Sequence, residues 1–438
     1  MFKNKGNFQK ALEEAKNNKN NAISFIYENK ISQNTEGSLA DVIFSIKDNY
    51  ATADASTQAS SLSLKNFQPS YNATFLEKVY AEGAIPVFKT HCDELALGGE
   101  GIFSYWGIIK NPLDLTRKVG GSSSGAAAAF TKNLGFALGS DTGDSVRLPA
   151  SYVGVVGFKP SYGAISRYGL FAYASSLDHV AYFTHNVSDA LALSEVAYGI
   201  DKKDFTTVNI PIKNAQMIQP QKVAFFNLNG FLTPEVFSQY QILKDKLIAE
   251  NIDVTILEPN IQLLETIKTV YEIISYSEAS ANLANINGIS FANRQKGDSW
   301  DEIMTNTRSK GFGYMVQRRL LLGSYFLNKE NQQDLFLRAQ KVRRLIKEYY
   351  EKIHKQFDLI IFPSTPDIAP KFDSKEQWNF MDYILTGANL AGNPSISIPW
   401  IKKDNLPVNL TLENGIYEDE KLFSFALWME KLLGGENE

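Results

Sequence analysis

Gly120-Gly121-Ser122-Ser123-Ser124-Gly125, then Ala126-Ala127-Ala128-Ala129, then Gly139-Ser140-Asp141-Thr142-Gly143-Asp144-Ser145-Val146-Arg147: the reading of this stretch decides the fold. Two serine-bearing, glycine-rich turns flank a helical run of small residues. Glycine permits backbone conformations closed to other residues and lets N–H groups approach a ligand. A hydroxyl beside such turns has a nucleophile's oxygen and nearby amide donors for a developing oxyanion. A flexible Gly/Ser linker is the plain alternative. Apolar segments follow both turns, however, and linkers do not usually continue into core.

Working outward, short apolar runs alternate with helical patterns. Residues 8–16 read as an amphipathic helix, 23–27 as a strand, and 42–46 as a strand running into Lys47. A helix over 75–82 precedes a strand over 84–88. Beyond the opening stretch, 153–158 is apolar and β-rich, and 189–198 is helical with Ser188 as N-cap. Strands follow at 223–226, 254–257, 359–363 and 395–399. Helices are expected over 235–250, through most of 262–356, over 383–390 and over 422–433. Alternation at this spacing predicts an α/β fold. No linker is evident, so residues 1–438 read as a single domain. The segment 200–265 is the candidate excursion, since 200–220 is polar and holds Pro211 and Pro220.

Composition narrows the function. The chain is 44% hydrophobic and 21% charged over 438 residues, which is ordinary globular composition, and its net charge is −4. No long basic run suggests tight phosphate-backbone binding, so any nucleic acid would be held by another protein chain. The lone cysteine, Cys92, cannot form an internal disulfide, which fits a reducing compartment. The polar, lysine-rich start is not a signal peptide, and no run approaches a membrane span. A cytoplasmic protein without membrane contact is expected. Scattered histidines and one cysteine offer no metal-ligand spacing, and no P-loop is present.

Lys47 is the first residue that points to chemistry. A lysine closing a buried strand is costly unless it is paired or neutralised. Desolvation lowers its pKa, and a neutral amine is a general base. Pairing with Asp48 is the alternative. Ser122 and Ser145 could each be a helix N-cap. Taken together, a lysine and two serines around glycine turns make a Ser–Ser–Lys proton relay. Residues 121–125 also match G-x-S-x-G, the nucleophile elbow. That chemistry needs a late histidine, and only His354 is late. It sits in a charged helical context and reads as a solvated surface residue.

The ordered run from Gly120 to Ala150 resembles the defining motif of the amidase signature family, and the similarity covers residues 40–185 closely. Ser166-Arg167-Tyr168-Gly169-Leu170 and Ala174-Ser175-Ser176-Leu177-Asp178 look like one branch, the glutaminase subunits of tRNA-dependent amidotransferases. Looser similarity continues through Asn389-Leu390-Ala391-Gly392 and Ile396-Ser397-Ile398-Pro399. The fold implied is one amidase-type α/β domain with a large mixed twisted sheet flanked by helices. The resemblance also implies roles: Ser145 the acylated nucleophile, Ser122 the bridging serine at a cis peptide bond, and Lys47 the base. Backbone amides of Asp141, Thr142, Gly143 and Asp144 would form the oxyanion hole. Tyr271, Arg319 and Asp382 fall where that branch holds the α-groups of glutamine. An arginine forks onto a carboxylate, and an aspartate answers an ammonium. Without the resemblance, Arg318-Arg319 could be a surface salt-bridge pair.

By the same resemblance the chain needs no cofactor. Ammonia from glutamine would pass to partner B and C subunits of a heterotrimer, which act on Glu-tRNA(Gln) with ATP and magnesium. A free-standing serine amidase for another amide, and a non-catalytic scaffold subunit, are the alternatives. Three departures stand out. The family usually has glycine where Asp144 stands, and a carboxylate there would oppose an oxyanion unless it points away. Ser122 and Ser145 are 23 residues apart, one fewer than usual, which a trimmed loop after Lys132 would explain. This leaves Ser123 as an alternative bridge. The N-terminus is shorter than the family's by about one helix.

Overall fold

The apolar runs assemble side by side. The computed structural model describes residues 2–374 and 379–434, and eleven strands among them form one mixed sheet. The strands are β1 (Ile23–Ile26), β2 (Ile43–Lys47), β3 (Ile85–Thr90), β4 (Phe136–Asp141), β5 (Val156–Lys159) and β6 (His179–Thr184). They continue with β7 (Lys222–Phe226), β8 (Asp253–Leu257), β9 (Leu359–Pro363), β10 (Ser395–Lys403) and β11 (Leu406–Glu413). The order across the sheet is β1-β3-β2-β4-β6-β5-β10-β11-β9-β7-β8. The expected α/β class and mixed sheet are therefore present.

Two parallel blocks, β3-β2-β4 and β9-β7-β8, are joined by antiparallel strands. Residues 222–257 thus supply two strands to the same sheet, with the helix Pro234–Ala249 between them. At β2 the chain has one parallel neighbour on either side. In open α/β sheets such a switch point leaves a crevice beyond the carboxyl ends of the strands. Lys47 and Asp141 are the carboxyl-terminal residues of β2 and β4.

Side chains alternate across β4. Phe136 and Leu138 join Phe44, Ile46 and Tyr182 in one core, while Ala137 joins Val87, Ala127 and Phe183 in the other. This is the two-residue period of a strand buried on both faces. The Phe44 and Phe136 rings stack with centroids 4.6 Å apart. Small residues in the helix Ser124–Ala128 are all buried, so its backbone can lie close to the sheet.

Three details differ from the sequence reading. β4, β6 and β11 were not anticipated, because strands buried on both faces show little polar alternation. Residues 147–153 form a helix, and only Val156–Lys159 of the following apolar run is strand. Asn186, not Ser188, caps Val187–Ala197: its side chain accepts the Asp189 N–H, and Ser188 lies inside the first turn.

Candidate active site

Lys47 is fully buried where β2 ends. The pairing of Ile46 with Leu138 brings it level with Gly139 and Ser140. Its ammonium donates to three hydroxyls: Ser122 Oγ at 2.8 Å, Ser140 Oγ at 2.9 Å and Ser123 Oγ at 3.1 Å. Asn49 Nδ2 also donates to Ser140 Oγ. Burial pushes the Lys47 amine down to about 8, against the pull of nearby Asp93 and Asp141. No carboxylate among the described residues pairs with it directly. A lysine held by hydroxyls, near the pH at which it changes charge, can take and return a proton.

The Gly121–Ser122 peptide bond is cis. Gly121 packs so tightly that a Cβ there would come within 2.3 Å of Asp93 Oδ2. Asp93 accepts the N–H groups of Glu100, Gly101 and Phe103, and its own N–H donates to the Ser122 carbonyl. The loop carrying Ser122 is therefore held from behind. Across from it, the Ser123 N–H donates to the Ser145 carbonyl at 3.2 Å, tying the two serine loops together. Neither loop uses its serine as a helix cap. The helix Arg147–Val153 begins after Val146, and no side chain caps it or Ser124–Ala128.

The Ser145 loop is clamped by Arg147. This fully buried guanidinium donates to Asp141 through Nε and Nη2, to the Gly143 and Leu385 carbonyls, and to Asn389 Oδ1. Burial opposes ionisation of Asp141, but Arg147 outweighs it and holds the carboxyl well below its usual range. Thr142 Oγ1 donates to Asp178 at 2.8 Å. Among the described residues, the N–H groups of Thr142, Gly143, Asp144 and Ser145 have no protein acceptor. Four free donors in succession beside a serine can receive an oxyanion.

A cavity of about 310 Å³ opens beside this loop, lined by Asp144, Tyr271, Arg319 and Asp382. Arg319 lies on the inward stripe of the helix Tyr314–Leu327, with Val316, Leu320 and Gly323. Its Nη1 donates to the Tyr173 hydroxyl at 3.0 Å, and its Nε has no acceptor among the described residues. Tyr271, on the helix Thr266–Asn282, lies over Gly143; a Cβ at Gly143 would be 3.2 Å from the Tyr271 ring. Asp382 is held in the turn Phe380–Tyr383, where it accepts the Asn379 N–H at 2.7 Å.

The Amidase family model matches residues 7–423. The chain belongs to this family. The A subunit of glutamyl-tRNA(Gln) amidotransferase from Sulfolobus acidocaldarius is 38% identical over 414 residues, covering 91% of this chain and 86% of that protein. The protein of the same name from Mycoplasma genitalium is 36% identical over 427 residues, covering 93% and 89%. The crystal structure of the Thermotoga maritima protein of that name superposes with a TM-score of 0.81 at 33% identity. It covers 97% of this chain and 90% of that one.

In this amidase the expected residues fall into two groups. Lys47 and Ser122 bond directly; the Ser145 loop is tied to them by its backbone, through the Ser123 N–H, and among the described residues the Ser145 hydroxyl makes no hydrogen bond to Ser122. Tyr271, Arg319, Asp382 and Asp144 share the cavity. The side chains of Asp141 and Thr142 turn to Arg147 and Asp178 instead, leaving only their backbone for an oxyanion. Ser123 Oγ, which also donates to the Ser140 carbonyl, is an internal brace for the amidase loop. The histidine of the elbow reading is elsewhere: His354 is not solvated, since its side chain is buried with Nε2 3.5 Å from Glu413. Sequence reading missed Ser140, Asn49, Asp93 and the Arg147–Asn389 clamp. Only Ser140 had a signal, a small hydroxyl in the strand beside Lys47.

Proposed function

We propose that this chain is the glutamine-hydrolysing subunit of a tRNA-dependent amidotransferase. One observation carries the reading: a buried lysine bonded to hydroxyls lies behind two serine loops whose Gly120 and Asp144 line a cavity that also holds an arginine and an aspartate for the two ends of an amino acid. Glutamine enters with its α-carboxylate toward Arg319 and Tyr271 and its α-ammonium toward Asp382. Ser145 Oγ attacks the side-chain amide carbon. Its proton moves to Ser122 Oγ as the Ser122 proton moves to Lys47 Nζ. Charge on the amide oxygen is met by the free N–H groups of the loop, those of Thr142, Gly143 and Asp144 among them, and one such donor is typically worth about 10²–10³ in rate.

The C–N bond then breaks. The relay returns its proton to the leaving nitrogen, which departs as ammonia. Water adds to the acyl-enzyme through the same relay and releases glutamate. Ammonia passes to partner B and C subunits, which activate Glu-tRNA(Gln) with ATP and magnesium in the cytoplasm; the names of relatives sharing over a third of their residues with this chain support its being one subunit of such an assembly.

The test is glutamine hydrolysis by Ser145→Ala in the assembled complex. Loss of turnover with glutamine binding retained is the expected result, and undiminished hydrolysis removes the nucleophile. Strong turnover of simple amides by the isolated chain, without preference for glutamine, would favour a free-standing amidase.

A further inference from the structure

Asp144 is a charged group of the cavity that the relay does not use. It immediately precedes Ser145, on the loop whose amides face the reacting carbonyl. It is half-buried and lines the cavity together with Arg319. No hydrogen bond or ion pair within the described residues neutralises its carboxylate, whereas Asp141 beside it is fully satisfied by Arg147. Asp382, the other aspartate of the cavity, accepts a backbone N–H. Arg319, in turn, has an Nε without an acceptor among the described residues. Lys118, paired with Glu100, and Lys268, Arg318 and Glu272 also line the cavity; Arg319 is its buried cation, and Asp144 precedes Ser145 with no partner among the described residues.

The groups around Asp144 come from every wall. Asp141 and Arg147 lie on its own loop and the helix that follows, and Asp93 on the loop after β3. Arg319 stands on the helix Tyr314–Leu327, Tyr271 on the helix Thr266–Asn282, and Tyr383 on the turn beside Asp382. Burial and the two neighbouring carboxylates oppose ionisation; the two guanidiniums favour it. An incoming substrate carboxylate adds a third negative charge and occupies Arg319. Both changes disfavour the ionised form of Asp144 further, since like charges sharing one site cannot all stay ionised.

We infer that Asp144 is a specificity-determining residue that couples substrate binding to proton uptake: a carboxylate-bearing substrate enters the cavity together with one proton, which is taken up by Asp144. This rests on the glutaminase reading above. No bond to carbon changes in the step; solvent supplies the proton, and it is returned when product leaves. Ionised Asp144 both competes for Arg319 and repels the substrate, so affinity for glutamine falls as pH rises. The ordinary position of the Asp144 carboxyl is displaced upward to about 7, which puts this dependence in the range of cellular pH. Linkage makes the relation reciprocal: whatever the proton does to glutamine affinity, glutamine does to proton affinity.

The experiment uses Ser145→Ala, assembled with its partner subunits, so that glutamine binds without turnover. Glutamine affinity is measured by calorimetry from pH 6 to pH 8.5 in buffers of different ionisation enthalpy. Proton uptake is expected, with affinity falling on the order of tenfold or more across that range. In Ser145→Ala/Asp144→Asn the uptake vanishes and affinity becomes flat. Ser145→Ala/Asp144→Gly should behave the same way, which guards against misfolding of one variant. The α-amide of glutamine, which lacks the carboxylate, should bind without uptake in every variant. An identical pH slope with and without Asp144, or no proton uptake near pH 7.5, overturns the inference while leaving the glutaminase reading intact. Absence of glutamine binding by Ser145→Ala overturns both.

Discussion

Two lysines lie buried on neighbouring parallel strands, and they have opposite fates. Lys89 in β3 pairs with Asp48 at 3.0 Å and donates to Thr52, Thr57 and the Ser56 carbonyl. Lys47 in β2 has hydroxyl partners only, among the described residues. Burial lowers the pKa of both, but at Lys89 the Asp48 charge pulls back toward the ammonium form. A carboxylate partner makes a buried lysine a fixed charge. Hydroxyl partners leave it able to change charge and pass the proton on. Burial alone does not make a base; the choice of partner does.

The comparison can be broken by exchanging roles. Lys47→Met should lower glutamine hydrolysis by about 10²–10⁴, with a small change in thermal unfolding, because the hydroxyls left behind can bond among themselves. Lys89→Met should do the reverse. It strands Asp48 as a buried, uncompensated charge, so about 3–5 kcal/mol of stability is lost by denaturant unfolding. The kcat of the folded fraction should stay within a few-fold. Lys89→Met/Asp48→Asn should recover part of that stability. If Lys89→Met were to abolish turnover in folded protein, the distinction would fail.

pH sharpens the same contrast. Lys47 accepts a proton only when neutral, and its folded pKa is lowered to about 8. The kcat should therefore rise with pH and level off above about 8; a profile flat from pH 6 to 9 would remove Lys47 as the base. Ser140→Ala gives the smallest effect. It takes one acceptor from the ammonium and leaves Asn49 without its hydroxyl, so the limb should move down by about one pH unit. Turnover at its plateau should fall only a few-fold.

Much of the site was legible because its residues break local rules. A lysine after an apolar strand and serines inside glycine turns are costly placements that invite a chemical explanation. The substrate side was not legible in this way. Arg318 and Arg319 are adjacent, and only packing reveals that Arg319 is turned inward while Arg318 stays exposed. Residue 319 was assigned through family likeness, not through its neighbours. The sequence also offered Asp48 as the partner of Lys47, and the fold gave it to Lys89. Asp48 lies in the turn that follows β2, from which its carboxylate reaches Lys89 on the neighbouring strand.

Periodicity and glycine turns, which are local properties, determined by themselves the α/β class, the two serine loops and the buried lysine. Which groups surround that lysine, how Arg147 clamps the Ser145 loop, and that Asp144 and Arg319 line one cavity were decided only by the tertiary structure. Those relations join residues far apart in the chain, and their energies depend on burial and on charges brought together only when the sheet closes.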